Sequence, residues 1–241
     1  MRSSRSAADT RRPDPLDPGP VGFAHRGLHD GAMFVENSFR ALAAALELGA
    51  GIECDLRLTA DNQLIVFHDA DALRLCGSPT VIGQTKLPDL ARFTVGHQSI
   101  PTLRQLLALV DGQVPLLLEV KIDDRYWRFG PALLDALRGY QGTFGVMSFD
   151  PRLARWLKTN APLIRRGLVV RDSLPPLRRW AAVKLADPHF LAVDRRARER
   201  AWVARARRHL PVYSWTIRTA AERAAADPFA DALIWEADGR P

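Results

Sequence analysis

The sequence predicts a (β/α)8 barrel of the TIM type, and three observations lead to this prediction. Short apolar runs rich in β-branched residues alternate with longer helical patterns along nearly the whole chain, as in parallel α/β folds. These runs make eight strand units, the number that closes such a barrel. The 241 residues, 47% of them hydrophobic, are enough for one large core. A doubly wound open sheet is the alternative, but no Gly-rich nucleotide fingerprint follows the first strand.

The strands are predicted from short apolar runs that end at turns or polar residues. The second strand, 51–58, and the run at 63–68 are expected to pair as a hairpin. The other strands are predicted at 21–25, 114–121, 143–148, 165–170, 190–194, 211–217 and 231–235.

Helical patterns fill the segments between the strands. Ser38 is the expected N-cap of the first helix and Gly49 its stop. Pro131 and Pro151 are each expected near the first turn of a helix. The Arg-rich segment 194–210 has apolar residues at helical spacing, which predicts an amphipathic helix with a charged face. Because the sequence ends shortly after the eighth strand, the last helix is expected to be short or missing.

Residues 1–20 are polar, contain several arginines and are rich in proline. They lack the apolar segment of a secretory signal, so we predict a disordered leader, with residues 21–241 forming a single barrel domain. No apolar run approaches the roughly 20 residues that span a bilayer. The two cysteines, Cys54 and Cys76, are too few for a disulfide framework. A cytoplasmic location is the expectation.

The net charge of the chain is +7. Such an excess suits a nucleic acid, an anionic membrane or an anionic substrate as partner. Much of it lies in the Arg-rich segment, which we interpret as a solvated surface because no zinc finger and no aromatic RNA-binding platform accompanies it. We therefore expect a small-molecule substrate and no nucleic acid, and peripheral membrane contact stays open.

The stretch ECDLRLTADNQLIVFHD brings two carboxylates and an imidazole together. If Asp61 and Asn62 form a two-residue hairpin loop, Asp55 faces His68 across the two strands. Glu53, two residues before Asp55, then projects from the same face. Glu53 and Asp55 also belong to the C-terminal end of the second strand unit, where barrel enzymes place their active sites. The stretch therefore predicts a functional patch.

The next strand unit repeats this arrangement in LLLEVK. Glu119 and Lys121 share one face of the strand, and a charged pair in so apolar a run is costly to bury without partners. Three carboxylates that converge on a barrel mouth, those of Glu53, Asp55 and Glu119, would repel one another unless a cation lies among them. Because oxygen ligands favour a hard ion, the sequence predicts one divalent cation, Mg²⁺ or Ca²⁺.

The first strand ends in FAHRG, at the same rim of the barrel. His25, together with His68 across a carboxylate–metal centre, is a candidate acid–base couple. Arg26 offers bidentate donors suited to a phosphate, and Lys121 offers a point charge beside the metal. The remaining histidines lie in loops or near element ends and are not expected to be catalytic.

Several motifs together resemble the glycerophosphodiester phosphodiesterase family. They are AHRG, ENS before a helix, ECDLRLTADNQLIVFHD, IPTLRQLL, LLLEVK, MSFDPRLARWL and VYSWTI, and they occur in the family's order from about Val21 to Trp235. The resemblance implies a (β/α)8 barrel and a metal-dependent phosphoric diester hydrolase. Such an enzyme would release an alcohol and glycerol 3-phosphate, in lipid and glycerol metabolism.

The resemblance also implies a role for each matching residue. The catalytic histidines would be His25 and His68, and the metal ligands Glu53, Asp55 and Glu119. The substrate-binding residues would be Arg26, Lys121, Asn37 and Trp215. One histidine would deprotonate the glycerol hydroxyl, which attacks phosphorus, and the other would protonate the departing alcohol. Water would then open the resulting cyclic phosphate.

The chain departs from the family pattern at Arg218, where an asparagine usually follows WT[VI], and in the segment after Asp69. The apolar residues of that segment (ALRLCG and TVIG) favour an alternative substrate, a lysophospholipid cleaved in the manner of a lysophospholipase D. A more remote alternative is a non-catalytic protein that binds nucleic acid or a membrane surface through its basic residues.

Overall fold

The computed structural model describes residues 14–31 and 34–241, and at its centre eight parallel strands form a closed barrel. Each barrel strand pairs with the next one along the chain, and the first pairs with the last, so that the sheet closes. The strands are β1 (Phe23–His25), β2 (Gly51–Leu58), β3 (Leu64–Val66), β4 (Thr94–Val95), β5 (Gln98–Ser99), β6 (Leu116–Val120), β7 (Phe144–Ser148), β8 (Arg165–Val170), β9 (Phe190–Asp194), β10 (Val212–Ile217) and β11 (Ala232–Trp235). All except β3, β4 and β5 belong to the barrel, and each barrel strand lies within its predicted range, which confirms the predicted fold.

Helices surround the barrel. They are α1 (Phe39–Glu47), α2 (Leu73–Cys76), α3 (Leu87–Leu90), α4 (Leu103–Val110), α5 (Tyr126–Ala136), α6 (Pro151–Asn160), α7 (Pro176–Ala186), α8 (Ala201–Arg207) and α9 (Ala220–Ala226). Ser38 caps α1 as predicted, because the Ala41 N–H donates to its hydroxyl over 3.3 Å. After β11 the chain forms a 3-10 turn, Ala237–Gly239. In the described ranges, no helix is both long and apolar enough to cross a bilayer.

Two helix predictions were wrong. Pro131 was expected near a first turn, but α5 begins well before it and Pro131 lies inside the helix. Phe129, two residues before the proline, is buried in the core. This packing favours helix on the N-terminal side of Pro131. The Arg-rich segment forms a separate 3-10 turn, Arg195–Ala197, before α8. Asp194 caps this turn by accepting a hydrogen bond of 2.9 Å from the Arg196 N–H.

Large apolar side chains close the lower end of the barrel, where the strands begin. A Cβ atom at Gly167 would overlap the ring of Phe190, and one at Gly145 would lie 2.5 Å from the side chain of Leu16. The two glycines therefore make room for this packing, and Leu16 is fully buried within it.

Asp14 and Leu16 belong to this packed region, although we predicted a leader as far as residue 20. Besides the burial of Leu16, Asp14 accepts a hydrogen bond of 2.5 Å from the Tyr213 hydroxyl and lies 2.7 Å from Arg165. The packed part of the chain therefore includes Asp14. The rest of the predicted leader, residues 1–13, lies outside the described residues.

The β2–β3 hairpin differs by one residue from the predicted register. Leu58 pairs with Leu64 and the Thr59 N–H donates to the Gln63 carbonyl, so the loop has three central residues, 60–62, rather than the predicted two. The Asp55 carbonyl accepts from the Phe67 N–H, so Asp55 lies opposite Phe67 and not His68. Asn62 adopts φ 61° at the end of a turn, the arrangement of a three-residue hairpin loop. His68 consequently lies beyond the strand pair and reaches the barrel mouth from the connection that follows β3.

That connection, from β3 to α4, builds a small apolar cluster of its own. Phe67, Ala72, Ile82, Leu90 and Val95 are buried together in it. It contains α2, α3 and the β4–β5 hairpin, none of which was predicted, because their apolar runs are too short to show a period.

Candidate active site

Three carboxylates meet at the carboxyl ends of β2 and β6. Glu53 and Asp55 project inward from the same face of β2, as predicted, with Cys54 pointing outward between them. Asp55 is the register partner of Glu119 on β6. All three carboxylates are buried, and one oxygen of each lies within 4.8 Å of the others. Because β2 and β6 are adjacent parallel strands, they bring together residues that are far apart in sequence.

The three carboxyl groups of this cluster differ in the direction in which their pKa values are shifted. Burial, together with the charges of Asp55 and Glu119, raises the pKa of Glu53 well above the usual carboxyl value. Burial also raises the pKa of Glu119, despite Lys121 beside it. At Asp55 burial acts in the same direction, but Lys121 and Arg26 outweigh it and lower the pKa. Ionised Glu53 and Glu119 are therefore unfavourable here, and an added cation would relieve this.

The carboxylate cluster fits a hard divalent cation. Glu53 Oε1 is buried and has no hydrogen-bond partner among the described residues, which leaves it open as a ligand. The other donors, from Asp55 and Glu119, are also oxygens, and an all-oxygen set suits Mg²⁺ or Ca²⁺ better than zinc.

Two basic side chains, Arg26 and Lys121, contact Asp55. Arg26 Nε lies 3.0 Å from Asp55 Oδ2, and Lys121 Nζ lies 2.9 Å from Oδ1. Lys121 also donates to Glu119. Burial opposes the charge on Lys121, but Asp55 and Glu119 outweigh it and raise the pKa, so the ammonium stays charged. Both basic side chains remain partly exposed, 17% and 13%, toward the mouth.

A left-handed turn after β1 holds the carboxylates in place. Arg26 and Asn37 have φ 59° and 57°, a conformation that costs a non-glycine residue about 1 kcal/mol or more. The Arg26 N–H donates to Glu53 Oε2 over 3.0 Å. Asn37 donates to Asp55 Oδ2 over 2.9 Å and accepts from the Asp55 N–H over 3.3 Å. Asn37 is 2% exposed, so in this structure it orients a carboxylate.

His25 is held by a carboxylate that the sequence analysis missed. Its Nδ1 lies 2.5 Å from Glu236 Oε2, and its Nε2 lies 3.9 Å from Glu53. Arg218 donates to the other oxygen of Glu236 over 2.6 Å, and His29 Nε2 lies 3.7 Å from the same residue. A carboxylate only accepts hydrogen bonds, so Nδ1 of His25 is the donor and Nε2 is free toward the carboxylates. Burial lowers the pKa of His25.

Glu236 could have been found from the sequence. It directly follows the last predicted strand, and in a closed barrel that strand lies beside the first. A polar residue at the end of β11 should therefore reach His25. Arg218, the departure from the family pattern, follows β10 and binds the same carboxylate.

His68 has a similar arrangement on the other side of the mouth. Its Nδ1 lies 2.7 Å from Asp69 Oδ1, and Arg74 donates to Asp69 Oδ2 over 2.7 Å. Arg74 also binds Glu36, which accepts from Arg26 over 2.7 Å. Burial lowers the pKa of His68, and its side chain is 31% exposed. A carboxylate on Nδ1 again leaves Nε2 as the free nitrogen.

The mouth itself is aromatic and basic. Trp215 lines the cavity above the carboxylates together with His25. Its ring meets that of Phe149 edge-on at 5.6 Å, and Arg171 lies over Phe149 at 4.2 Å. All the predicted site residues therefore lie at one end of the barrel. Their hydrogen bonds and ion pairs also include four residues that were not predicted: Glu236, Asp69, Arg74 and Arg218.

The family model for the "Glycerophosphoryl diester phosphodiesterase family" matches residues 25–235 of this chain. A glycerophosphodiester phosphodiesterase of Caldanaerobacter subterraneus subsp. tengcongensis is 30% identical over 165 residues, 63% of this chain and 67% of that protein. One of Bacillus altitudinis is 29% identical over 116 residues, 44% of this chain and 46% of that protein. The matches thus span about half to two thirds of the lengths of these relatives.

Solved structures resemble the barrel over nearly its whole length. A glycerophosphodiester phosphodiesterase of Parabacteroides distasonis superimposes with a TM-score of 0.76 at 22% identity, covering 88% of this chain and 91% of that chain. A phosphodiesterase of Oleispira antarctica, in complex with the product sn-glycerol-3-phosphate, superimposes with a TM-score of 0.78 at 21% identity, covering 91% and 94%. At these identities the likeness establishes the fold.

Proposed function

The chain belongs to the glycerophosphoryl diester phosphodiesterase family, a family of phosphoric diester hydrolases, and we propose that it hydrolyses a glycerophosphodiester to an alcohol and glycerol 3-phosphate. The observation that carries this proposal is the buried carboxylate cluster between two histidines, each with a carboxylate on Nδ1. The product bound to the Oleispira phosphodiesterase, sn-glycerol-3-phosphate, supports the same product here.

We propose that Glu53, Asp55 and Glu119 hold one divalent cation, Mg²⁺ or Ca²⁺. When bound, this ion supplies positive charge against the phosphate oxygens. Arg26 and Lys121 add donors at the same place, since each keeps an exposed part toward the mouth. Trp215 would contact the glycerol or the leaving group from the side of the mouth. Asn37 would act through Asp55, which it holds by two hydrogen bonds.

The histidines would move the protons. The free Nε2 of one takes the proton of the glycerol hydroxyl, whose oxygen forms a bond to phosphorus while the bond to the leaving alcohol breaks. The other histidine, which starts protonated on both ring nitrogens, gives its Nε2 proton to that alcohol. A water molecule then opens the cyclic phosphate with the roles reversed, which returns both histidines to their starting states. The lowered pKa values of His25 and His68 keep a neutral base available near pH 7.

No specific contact favours the lysophospholipid over the water-soluble diester as the substrate. In the apolar segment after Asp69 that suggested it, Ala72 and Ile82 pack in a buried cluster, and the exposed Leu73 and Val81 do not by themselves distinguish the two substrates. We therefore keep the glycerophosphodiester as the proposed substrate, with lipid and glycerol metabolism as its setting.

The proposed function is tested directly with glycerophosphocholine. We expect purified protein to release glycerol 3-phosphate in Mg²⁺ or Ca²⁺, and EDTA to abolish the release because the carboxylates then lack their ion. The measurement is an enzymatic assay of glycerol 3-phosphate, with the His25→Ala variant as the blank. Folded protein that releases no product with either metal would exclude the water-soluble diester, and the lysophospholipid would then be assayed.

Glu236 is expected to matter for turnover more than for binding. The Glu236→Gln variant should lower kcat by about 10²-fold, with KM little changed, because the amide no longer enforces a proton on Nδ1 of His25. Glu199→Gln is the matched control, since Glu199 is 64% exposed and pairs with the adjacent Arg198. Equal kinetics of the two variants would exclude a role for Glu236 in orienting His25.

A further inference from the structure

The exposed apolar side chains of this protein concentrate around the mouth of the barrel. Of the nine large apolar side chains exposed in the part of the chain that the structure describes, six follow the carboxyl end of a barrel strand, in the connection or in the first two turns of the next helix. They are Leu73, Val81, Tyr126, Trp127, Leu177 and Trp180. The other three, Leu48, Leu163 and Phe229, lie toward the opposite end. The same end of the barrel therefore carries the candidate active site and most of the exposed apolar surface.

Helix α7 contributes most to this surface. It has 11 residues, of which only Ala186 is buried. Leu177 is 76% exposed and Trp180 is 61% exposed, and at a spacing of three residues they project from one side of the helix. A groove of about 560 Å³ runs between α7 and α8, lined by Val183 and Trp202 among others. An apolar face of this kind on a helix ordinarily packs against another part of the protein or against a binding partner.

The charge around this face is positive. Arg178 is exposed beside Leu177. Arg179 lies over the ring of Trp202 at 4.4 Å, and Lys184 and Arg205 line the groove, with Asp187 as the one carboxylate in its lining. Just before the helix, Arg171 lies over Phe149 at the mouth.

The positive charge around the α7 face indicates which kind of partner can cover it. A second copy of the chain would bring these arginines against one another, and the whole chain already carries +7. Residues 1–13 cannot fill the face either, because they contain four arginines and, apart from Met1, no large apolar residue. The partner is therefore anionic, with an apolar layer that can receive leucine and tryptophan.

An anionic phospholipid surface has both properties. Tryptophan and arginine are favoured at the boundary between headgroups and acyl chains, and basic residues are drawn to anionic leaflets. We propose that the α7 face, defined by Leu177, Arg178 and Trp180, docks the protein on anionic phospholipid membranes. Tyr126 and Trp127, at the start of α5, belong to the same end of the barrel, where Arg152 lies over Tyr126 at 4.2 Å. Docking there turns the catalytic mouth toward the lipid headgroups.

The test is sedimentation of the full-length protein with lipid vesicles. We expect binding to vesicles of equal parts phosphatidylglycerol and phosphatidylcholine, little binding to phosphatidylcholine alone, and weakening as salt is raised. The double variant Leu177→Ala/Trp180→Ala should bind at least about tenfold more weakly, because it loses both inserted side chains. Leu163→Ala is the matched control: Leu163 is 97% exposed at the opposite end, and its loss should leave binding unchanged.

Binding is measured in EDTA, so its outcome does not depend on the proposed hydrolysis. Hydrolysis of soluble glycerophosphocholine by the double variant should equal that of the wild type, which shows that the variant is folded. The proposal is overturned if wild type fails to sediment with the anionic vesicles, or if the double variant and Leu163→Ala bind equally. It is also overturned if an acidic amphipathic peptide binds through Leu177 and Trp180 while the vesicles do not, since the partner is then a protein.

Discussion

Replacing either His25 or His68 by alanine is expected to lower kcat for glycerophosphocholine by about 10²- to 10⁴-fold, the usual contribution of a positioned acid or base. Each histidine has a carboxylate on Nδ1 and a free Nε2, so each is oriented for proton transfer. Steady-state kinetics in saturating Mg²⁺ or Ca²⁺ measure the effect. His209→Ala is the control, because His209 is exposed and lies outside the site.

The same two variants reveal which histidine is the acid. A glycerophosphodiester with a nitrophenol leaving group needs no protonation of that group, so the variant that lacks the acid should recover most of its activity on it. The variant that lacks the base should stay slow with both leaving groups. If neither variant differs between the two substrates, the proposed division of roles between His25 and His68 is wrong.

The second large effect is expected on stability. Asp55→Ala should lower the free energy of unfolding by about 3–5 kcal/mol, because it removes the one fully buried carboxylate that both Arg26 and Lys121 contact and leaves them only Glu36 and Glu119. The Asn37 amide would also lose its acceptor. Urea unfolding in EDTA measures this, so that no bound ion contributes to the difference.

Glu53→Gln is the matched variant and should behave in the opposite way. Burial and the neighbouring carboxylates raise the pKa of Glu53, so its ionised form is unfavourable in the empty site. Replacing it with an uncharged amide should leave stability in EDTA unchanged or slightly higher. Adding Mg²⁺ or Ca²⁺ should stabilise the wild type by mass action and should not stabilise this variant. Equal losses for Asp55→Ala and Glu53→Gln in EDTA would contradict this account of the carboxylate cluster.

The local pattern of the sequence was sufficient to predict the barrel and most of its candidate site. Strand positions follow from short apolar runs, and a polar side chain at the end of such a run lies at the carboxyl edge of a parallel sheet. That rule alone brings Glu53, Asp55, Glu119 and His25 to one rim. It needs no knowledge of which strands are neighbours, because all eight strands end at the same rim.

Contacts that depend on closure, on loop register or on packing were not predictable in this way. Glu236 and His25 are 211 positions apart and meet because β11 pairs with β1, so finding Glu236 requires barrel closure in addition to the local pattern. The hairpin register depended on whether the loop had two or three residues, which the residues ADNQ allow either way. Leu16 is buried only because Gly145 leaves room for it at the lower end of the barrel.

Local sequence patterns were therefore enough to predict the fold class, the rim on which the polar residues gather and the all-oxygen chemistry of their carboxylates. The folded barrel decided which residues touch: Glu236 on His25, Arg26 and Lys121 on Asp55, and the exposed apolar face of α7 beside the mouth. The reason is physical. Apolar periodicity is a local property of the chain, whereas a hydrogen bond or a buried ion pair depends on positions that only closure of the sheet sets.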